Sequence, residues 1–178
     1  MVELTGSCFK LRSWKIGDEV SLLKYADNPN VSRYLANIFP SPYTAADAKV
    51  WVDIQLQQTE PITNAALVIA EEVVGGIGIT LQNDIYCKNA RIGYWLGEPF
   101  WGKGIMAEAL ALFSNYIFDQ FEVTRIYAGV FGNNPASAKV LQIAGYQQEG
   151  VFKKALFKNG LYDDELIFAK LKDEYPFV

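Results

Sequence analysis

Along the chain the hydrophobic period changes most sharply between Arg91 and Asp119. Arg91 to Leu96 is a short apolar run that reads as a strand. From Ile105 onward, apolar residues recur at Ala109, Leu112, Phe113 and Tyr116, while Glu108, Asn115 and Asp119 follow the opposite side, as an amphipathic helix requires. Upstream, Cys8 to Trp14 alternates, with Phe9, Leu11 and Ser13 on one side, which predicts a first strand. Asp18 is placed to cap a helix carrying Val20, Leu22, Leu23 and Tyr25, stopped by Asp27-Asn28-Pro29. Val31 to Tyr43 reads as loop. Thr44 to Asp47 has the form of a capping box and opens a second helix bearing Val50, Trp51, Ile54 and Leu56.

After Pro61 the pattern turns to strands. Ala65–Ala70 and Val73–Leu81 predict a hairpin around Glu71-Glu72, in which Gly75, Gly76 and Gly78 signal a bulge or a close backbone approach. Arg125–Phe131 is another strand, rich in β-branched and aromatic residues. Asn134, Pro135 and Gly145 punctuate a short helix as N-cap, first helical residue and stop. Tyr146–Lys158 and Leu161–Leu171 close the chain as a hairpin with Asn159-Gly160 at its turn. This order predicts an α/β (α+β mixed) fold with a mixed sheet, in a single domain over residues 1–178, and not a regular doubly wound repeat.

The junction Trp101-Gly102-Lys103-Gly104 is the chemically suggestive place. No Ser, Thr, Asp or Asn stands there to take the first backbone N–H groups of the helix. A helix that opens on glycines leaves those donors free at the positive end of its dipole, an arrangement that suits a phosphate; a plain glycine loop is the alternative. The run is neither a Walker A loop nor a dinucleotide fingerprint.

Composition narrows the chemistry. The chain has no histidine, so a histidine base, a histidine-containing triad or a histidine-bearing zinc site is excluded. Cys8 and Cys87 lie far apart and outside any CxxC pair, which predicts two reduced structural thiols and no metal. A net charge of −4 argues against a broad nucleic-acid footprint and suits a cationic acceptor. With no signal-peptide pattern and no membrane-length apolar run, the expected location is the cytoplasm, away from any membrane.

Taken together, Arg91-Ile92-Gly93-Tyr94-Trp95-Leu96, Phe100-Trp101-Gly102-Lys103-Gly104 and Glu108-Ala109-Leu110 resemble the cofactor motif of the GNAT N-acetyltransferases. The Trp-Gly-Lys-Gly form is similar to the Rim-type branch, the ribosomal-protein N-terminal acetyltransferases. Asn134-Pro135-Ala136-Ser137 resembles the Asn-x-x-Ser of the same branch, and the match runs over essentially the whole chain. Trp101 and Met106 depart from the commonest loop pattern, which has Gln or Arg and a small residue there.

The resemblance implies a GNAT-like domain whose central twisted mixed sheet is flanked by helices on both faces. It also implies acetyl-CoA as acyl donor, lying across the opening between the central strands, and direct transfer to a primary amine. That acceptor is a protein or peptide N-terminus or a small amine. A non-catalytic acyl-CoA-binding module on the same fold is the alternative. Cofactor contacts are implied for Leu96, Trp101, Gly102, Lys103, Gly104, Ile105, Met106, Asn134 and Ser137, with backbone N–H groups near Leu96 serving the thioester oxygen.

Many relatives carry a tyrosine acid seven residues after the Asn, where this chain has Leu141; Ser137 is then the candidate to hydrogen-bond the leaving thiolate. Glu98 is a candidate base or simply a solvated acid, with Asp164, Glu165 and a water chain as alternatives. Tyr34, Phe39, Tyr43 and Trp95 are candidates for the acceptor groove or for ordinary packing, and Asn134 for a cap, a ligand contact or both.

Overall fold

The computed structural model describes residues 2–172. Eight strands form an open mixed sheet in the order β1-β2-β3-β4-β5-β6-β8-β7. They are β1 (Glu3–Thr5), β2 (Lys10–Arg12), β3 (Asn64–Ile69), β4 (Glu72–Leu81), β5 (Asn89–Leu96), β6 (Arg125–Phe131), β7 (Gln147–Lys158) and β8 (Leu161–Leu171). Five α-helices accompany them among the described residues: α1 (Asp18–Ala26), α2 (Pro29–Ser32), α3 (Ala45–Gln55), α4 (Ile105–Gln120) and α5 (Pro135–Ile143). The expected α/β class is the one observed. The described residues divide into two compact units, residues 2–78 with 94–113, and residues 79–93 with 114–172.

In the first unit β1, β2, β3 and β4 pair antiparallel in sequence order. The β3–β4 turn is Ala70-Glu71, both with positive φ (48° and 67°), so the hairpin tip lies one residue earlier than its sequence pattern suggests. Its register slips between Leu67 and Val68. Gly75 lies there because a Cβ would come within 2.6 Å of the Trp95 carbonyl oxygen, which is the close approach its position predicts. The core of this unit gathers Trp14, Leu22, Tyr43, Val52, Val68 and Val73, among others.

Three local expectations need correction. The first strand is shorter than Cys8–Trp14 and is joined by β1, since the chain folds back at Gly6, whose N–H donates to the Phe9 carbonyl at 2.9 Å. Asp18 is not a cap: Gly17, at φ 98°, occupies that place, and Asp18 is 3% exposed inside the first turn. Both Asp18 oxygens accept from the Arg12 guanidinium at 2.7 Å, and Oδ2 also accepts from the Lys15 N–H at 2.9 Å. Residues 31–43 are not all loop, because Asn28 caps α2 and Pro29 starts it.

In α3 the Thr44–Asp47 capping box is present as its spacing predicts, and the buried face is Ala48, Val52 and Gln55. Val50 and Ile54, both apolar, are more than half exposed. The helix is apolar on more than one side, so apolarity does not select the packed face.

In the second unit β6 pairs antiparallel with β8, and β8 with β7. The burial of β6 alternates strictly, with Ile126, Ala128 and Val130 inward. β5 and β6 are parallel, pairing over Asn89–Arg91 and Arg125–Tyr127. The closing hairpin turns at Asn159-Gly160, both with positive φ (51° and 79°), the geometry a two-residue type I′ turn demands. Gly145, at φ 88°, ends α5 as its position predicts. Cys8 and Cys87 are free and exposed, so neither is a core thiol.

Candidate active site

In the first unit the site is built at the end of β5. Leu96 is buried, and its carbonyl accepts the indole N–H of Trp101 at 2.7 Å. A 3₁₀ turn over Glu98–Phe100 follows, and Lys103 Nζ donates back to the Pro99 carbonyl at 2.8 Å, 5.5 Å from the Phe100 ring centre. Those contacts pin a short loop in which Gly102 and Gly104 have φ of 73° and 77°.

A Cβ built at either glycine meets nothing within 4 Å. The glycines are therefore required by backbone conformation, and the space over them is open. α4 begins at Ile105, and its first backbone bond runs from the Glu108 N–H to the Gly104 carbonyl at 3.1 Å. The N–H groups of residues 104–107 precede that bond and have no intrahelical acceptor. Trp101, Gly102, Lys103 and Gly104 are exposed, whereas the side chains of Ile105 and Met106 are buried. Those last two can offer a ligand only their backbone. An open cradle of amide donors at a helix start fits a pyrophosphate. Glu108 braces the same turn, accepting from the Ser7 N–H at 2.7 Å and the Ser7 hydroxyl at 2.6 Å.

Of the backbone donors near Leu96, the Gly97 N–H is committed to the Val74 carbonyl at 2.7 Å. Glu98 is exposed and tied to the amides of Asn28 and Asn30, at 2.7 Å from the first and 3.0 and 3.1 Å from the second. Those hydrogen bonds hold its carboxyl below the ordinary carboxylate range. A weaker base results, against the role its position suggests.

Phe39, Tyr43 and Trp95 come together, with Phe39 5.0 Å from the Tyr43 ring and 6.1 Å from the Trp95 ring. Tyr43 is 6% exposed and belongs to the core, so it is not a groove residue. Phe39 and Trp95 are partly buried against that core. Tyr34 lies instead under the Arg33 guanidinium, 4.7 Å from its ring centre. Burial, and then the charge of Asp47, push the Tyr43 phenol up to about 12. Because the unfolded tyrosine ionises near 10, stability is unaffected below that pH. It then falls by up to about 1.4 kcal/mol per pH unit as pH rises from 10 to 12. Urea unfolding at pH 9, 10.5 and 11.5 checks this, and Tyr43→Phe removes that share of the alkaline loss.

In the second unit Asn134 caps α5, its Oδ1 accepting the Ser137 N–H at 3.2 Å; its amide N–H donors are not used in the cap. Asp164 accepts from Lys153 Nζ at 2.8 Å and from the Lys154 N–H at 2.9 Å, which hold it below the usual carboxylate range. Glu165 pairs with Arg91 at 3.1 Å and lies over Gly129, where a Cβ would come within 1.9 Å of its Oε1. Sequence reasoning missed the Asn28, Asn30 and Ser7 contacts. Asn28 carried a signal only within Asp27-Asn28-Pro29, as the stop of the first helix.

The description that matches this chain is an acetyltransferase (GNAT) domain, over residues 9–147. The chain belongs to the GNAT acetyltransferase family. It is accordingly an N-acetyltransferase.

An uncharacterized N-acetyltransferase, p20, from Bacillus licheniformis is 32% identical over 167 residues, covering 93% of each chain. The ribosomal-protein-serine acetyltransferase of Escherichia coli is 36% identical over 103 residues, 58% of this chain and 57% of that one. Against two N-acetyltransferases of Bacillus subtilis, YjcK and YdaF, the match spans about half of their length. Among solved structures, RimL, a ribosomal L7/L12 alpha-N-protein acetyltransferase in complex with coenzyme A, superposes with a TM-score of 0.83. It is 21% identical and covers 97% of this chain and 99% of that one. These relatives are named as transferases, which disfavours the non-catalytic alternative.

Proposed function

We propose that this acetyltransferase takes its acetyl group from acetyl-CoA and modifies the N-terminal α-amine of a protein or peptide, in the cytoplasm. The observation that carries this reading is the state of its acids. The chain has no histidine, and Glu98 and Asp164 are both hydrogen-bonded and held below the usual carboxylate range. Neither is tuned to take a proton near neutral pH. The acceptor must then bring an amine with a substantial neutral fraction of its own. An α-amine with pKa near 7.8 is about one-third neutral at pH 7.5, whereas a lysine side chain is neutral about once in a thousand. The E. coli relative, named for a ribosomal-protein serine, supports a protein acceptor.

In this reading the backbone N–H groups of Gly102 to Met106 hold the pyrophosphate, Trp101 props the loop through Leu96, and Lys103 stays folded on Pro99. The Asn134 amide contacts the pantetheine arm, and the Leu96 N–H faces the thioester oxygen. The amine nitrogen attacks the carbonyl carbon, the C–S bond breaks, and the sulfur leaves as thiolate while the amine releases its proton to water. Ser137 donates a hydrogen bond to that sulfur. Phe39 and Trp95 border the acceptor, with Tyr34 at the entry.

The test compares a peptide with a free N-terminal serine against the same peptide N-terminally blocked and carrying one lysine. The free α-amine is acetylated at least about a hundredfold faster at pH 7.5, following the neutral fractions. Equal rates on the two peptides overturn the assignment. Ser137→Ala lowers kcat about tenfold, the scale of one hydrogen bond made as charge develops, and leaves the acetyl-CoA affinity within about twofold. An unchanged kcat removes Ser137 from the reaction.

A further inference from the structure

Glu98 stands between the end of β5 and the glycine loop, and both of its oxygens are engaged. Asn28 Nδ2 donates to Oε2 at 2.7 Å, and Asn30 Nδ2 donates to Oε1 at 3.0 Å and to Oε2 at 3.1 Å. Asn28 meanwhile uses its Oδ1 to accept the Asn30 N–H at 2.8 Å, the cap of α2. One carboxylate therefore fixes both amides at the first turn of α2, and α2 leads straight into residues 33–43. On its other side, the turn that carries Glu98 holds the glycine loop. The Trp101 N–H donates to the Glu98 carbonyl at 3.1 Å, and Lys103 Nζ to the Pro99 carbonyl at 2.8 Å. Tyr25 seals the corner, edge-on to Phe100 at 5.3 Å and so near Gly97 that a Cβ there would lie 3.1 Å from it.

We propose that Glu98 is a positioning residue that couples the acceptor-side segment 33–43 to the phosphate loop, and not the proton acceptor of the reaction. The inference rests on the acetyl-transfer reading above. A carboxylate that accepts three amide hydrogen bonds has its lone pairs directed at fixed donors, which leaves it poorly placed to collect a proton from an incoming ammonium. The same bonds give it a mechanical use. α2 has only four residues and little stability of its own, so its orientation depends on what holds its first turn. Here that anchor is part of the turn bracing the CoA loop.

The polarity of the clamp can be reversed. Glu98→Gln alone sets an amide N–H₂ against the Asn28 N–H₂, while its remaining oxygen still serves Asn30. Adding Asn28→Asp supplies the missing acceptor, and its second oxygen can still cap α2. With the free-serine peptide as acceptor, Glu98→Gln raises the peptide KM about tenfold and leaves kcat within about threefold. The double variant returns KM to within about twofold of wild type, with the pH profile unchanged in both. A hundredfold fall in kcat that the second change does not repair, with loss of the acidic limb, identifies a base and overturns the proposal. An unchanged KM in Glu98→Gln overturns it as well.

Should the wild type fail to acetylate this peptide, the acceptor reading fails separately. Amide exchange over residues 28–43 then decides: it is faster in Glu98→Gln and restored in the double variant if the clamp holds, and equal in all three if it does not.

Discussion

Gly104→Glu abolishes the stabilisation of this protein by acetyl-CoA. Wild type at a ligand concentration about a hundred times Kd gains about 2.7 kcal/mol, which raises the melting temperature of a chain this size by about 5–10 °C. The variant gains nothing, because its carboxylate occupies the space over the loop and repels the phosphates that the amide donors would hold. The loss is not a failure to fold. A Cβ at Gly104 meets nothing within 4 Å, so the structural cost is that of a side chain at φ 77°, about 1–2 kcal/mol. Gly104→Ala separates the two effects: it carries the same backbone cost without the charge and keeps a measurable shift. CoA behaves like acetyl-CoA, and a nicotinamide dinucleotide shifts neither protein. An equal shift in wild type and Gly104→Glu would place the phosphates elsewhere.

Asp18→Ala is the substitution expected to cost most stability. Asp18 is 3% exposed and receives two guanidinium hydrogen bonds at 2.7 Å. The Arg12 side chain is itself only 13% exposed, so removing its partner strands a charge with little water to solvate it. Breaking a buried pair in this way costs about 3 kcal/mol or more, equivalent here to roughly 10 °C in melting temperature. Replacing both partners, Arg12→Met with Asp18→Leu, costs less than the single change, since no charge is left behind. Urea unfolding of the three proteins measures this. A loss below about 1 kcal/mol for Asp18→Ala reduces the pair to an ordinary surface bridge.

What could be read from the sequence was punctuation and period. Asn134, Pro135 and Gly145 mark α5 because each residue type answers a backbone need at a helix end. Asn159-Gly160 marks the final hairpin because its turn needs two positive φ values. The Thr44–Asp47 box is likewise a local contract between neighbours. Gly102 and Gly104 were legible for the same reason, since their positive φ is a backbone conformation that glycine permits.

Pairings across long sequence separations left no such trace. Glu98 meets Asn28 and Asn30 some 70 and 68 residues away, and nothing in the composition of either stretch indicates it. The position beside the loop suggested a base; the partners make it an anchor. Asp18 was readable as a cap by type, but its Arg12 partner draws it inside the first turn. Tyr43 looked like an acceptor aromatic and lies in the core, since an aromatic ring is equally suited to both. The packed side of α3 could not be chosen from a helix that is apolar on several sides.

The central claim is direct acetyl transfer from acetyl-CoA to an α-amine. Its most direct measurement is mass spectrometry of a free N-terminal serine peptide incubated with acetyl-CoA and the protein, with fragmentation to locate the modification. One acetyl group is expected, on the N-terminal nitrogen, with one CoA thiol released per peptide modified. The rate is expected to rise with pH through about 8 as the amine becomes neutral. A peptide unmodified while acetyl-CoA demonstrably binds, or acetyl found only on a side chain, contradicts it.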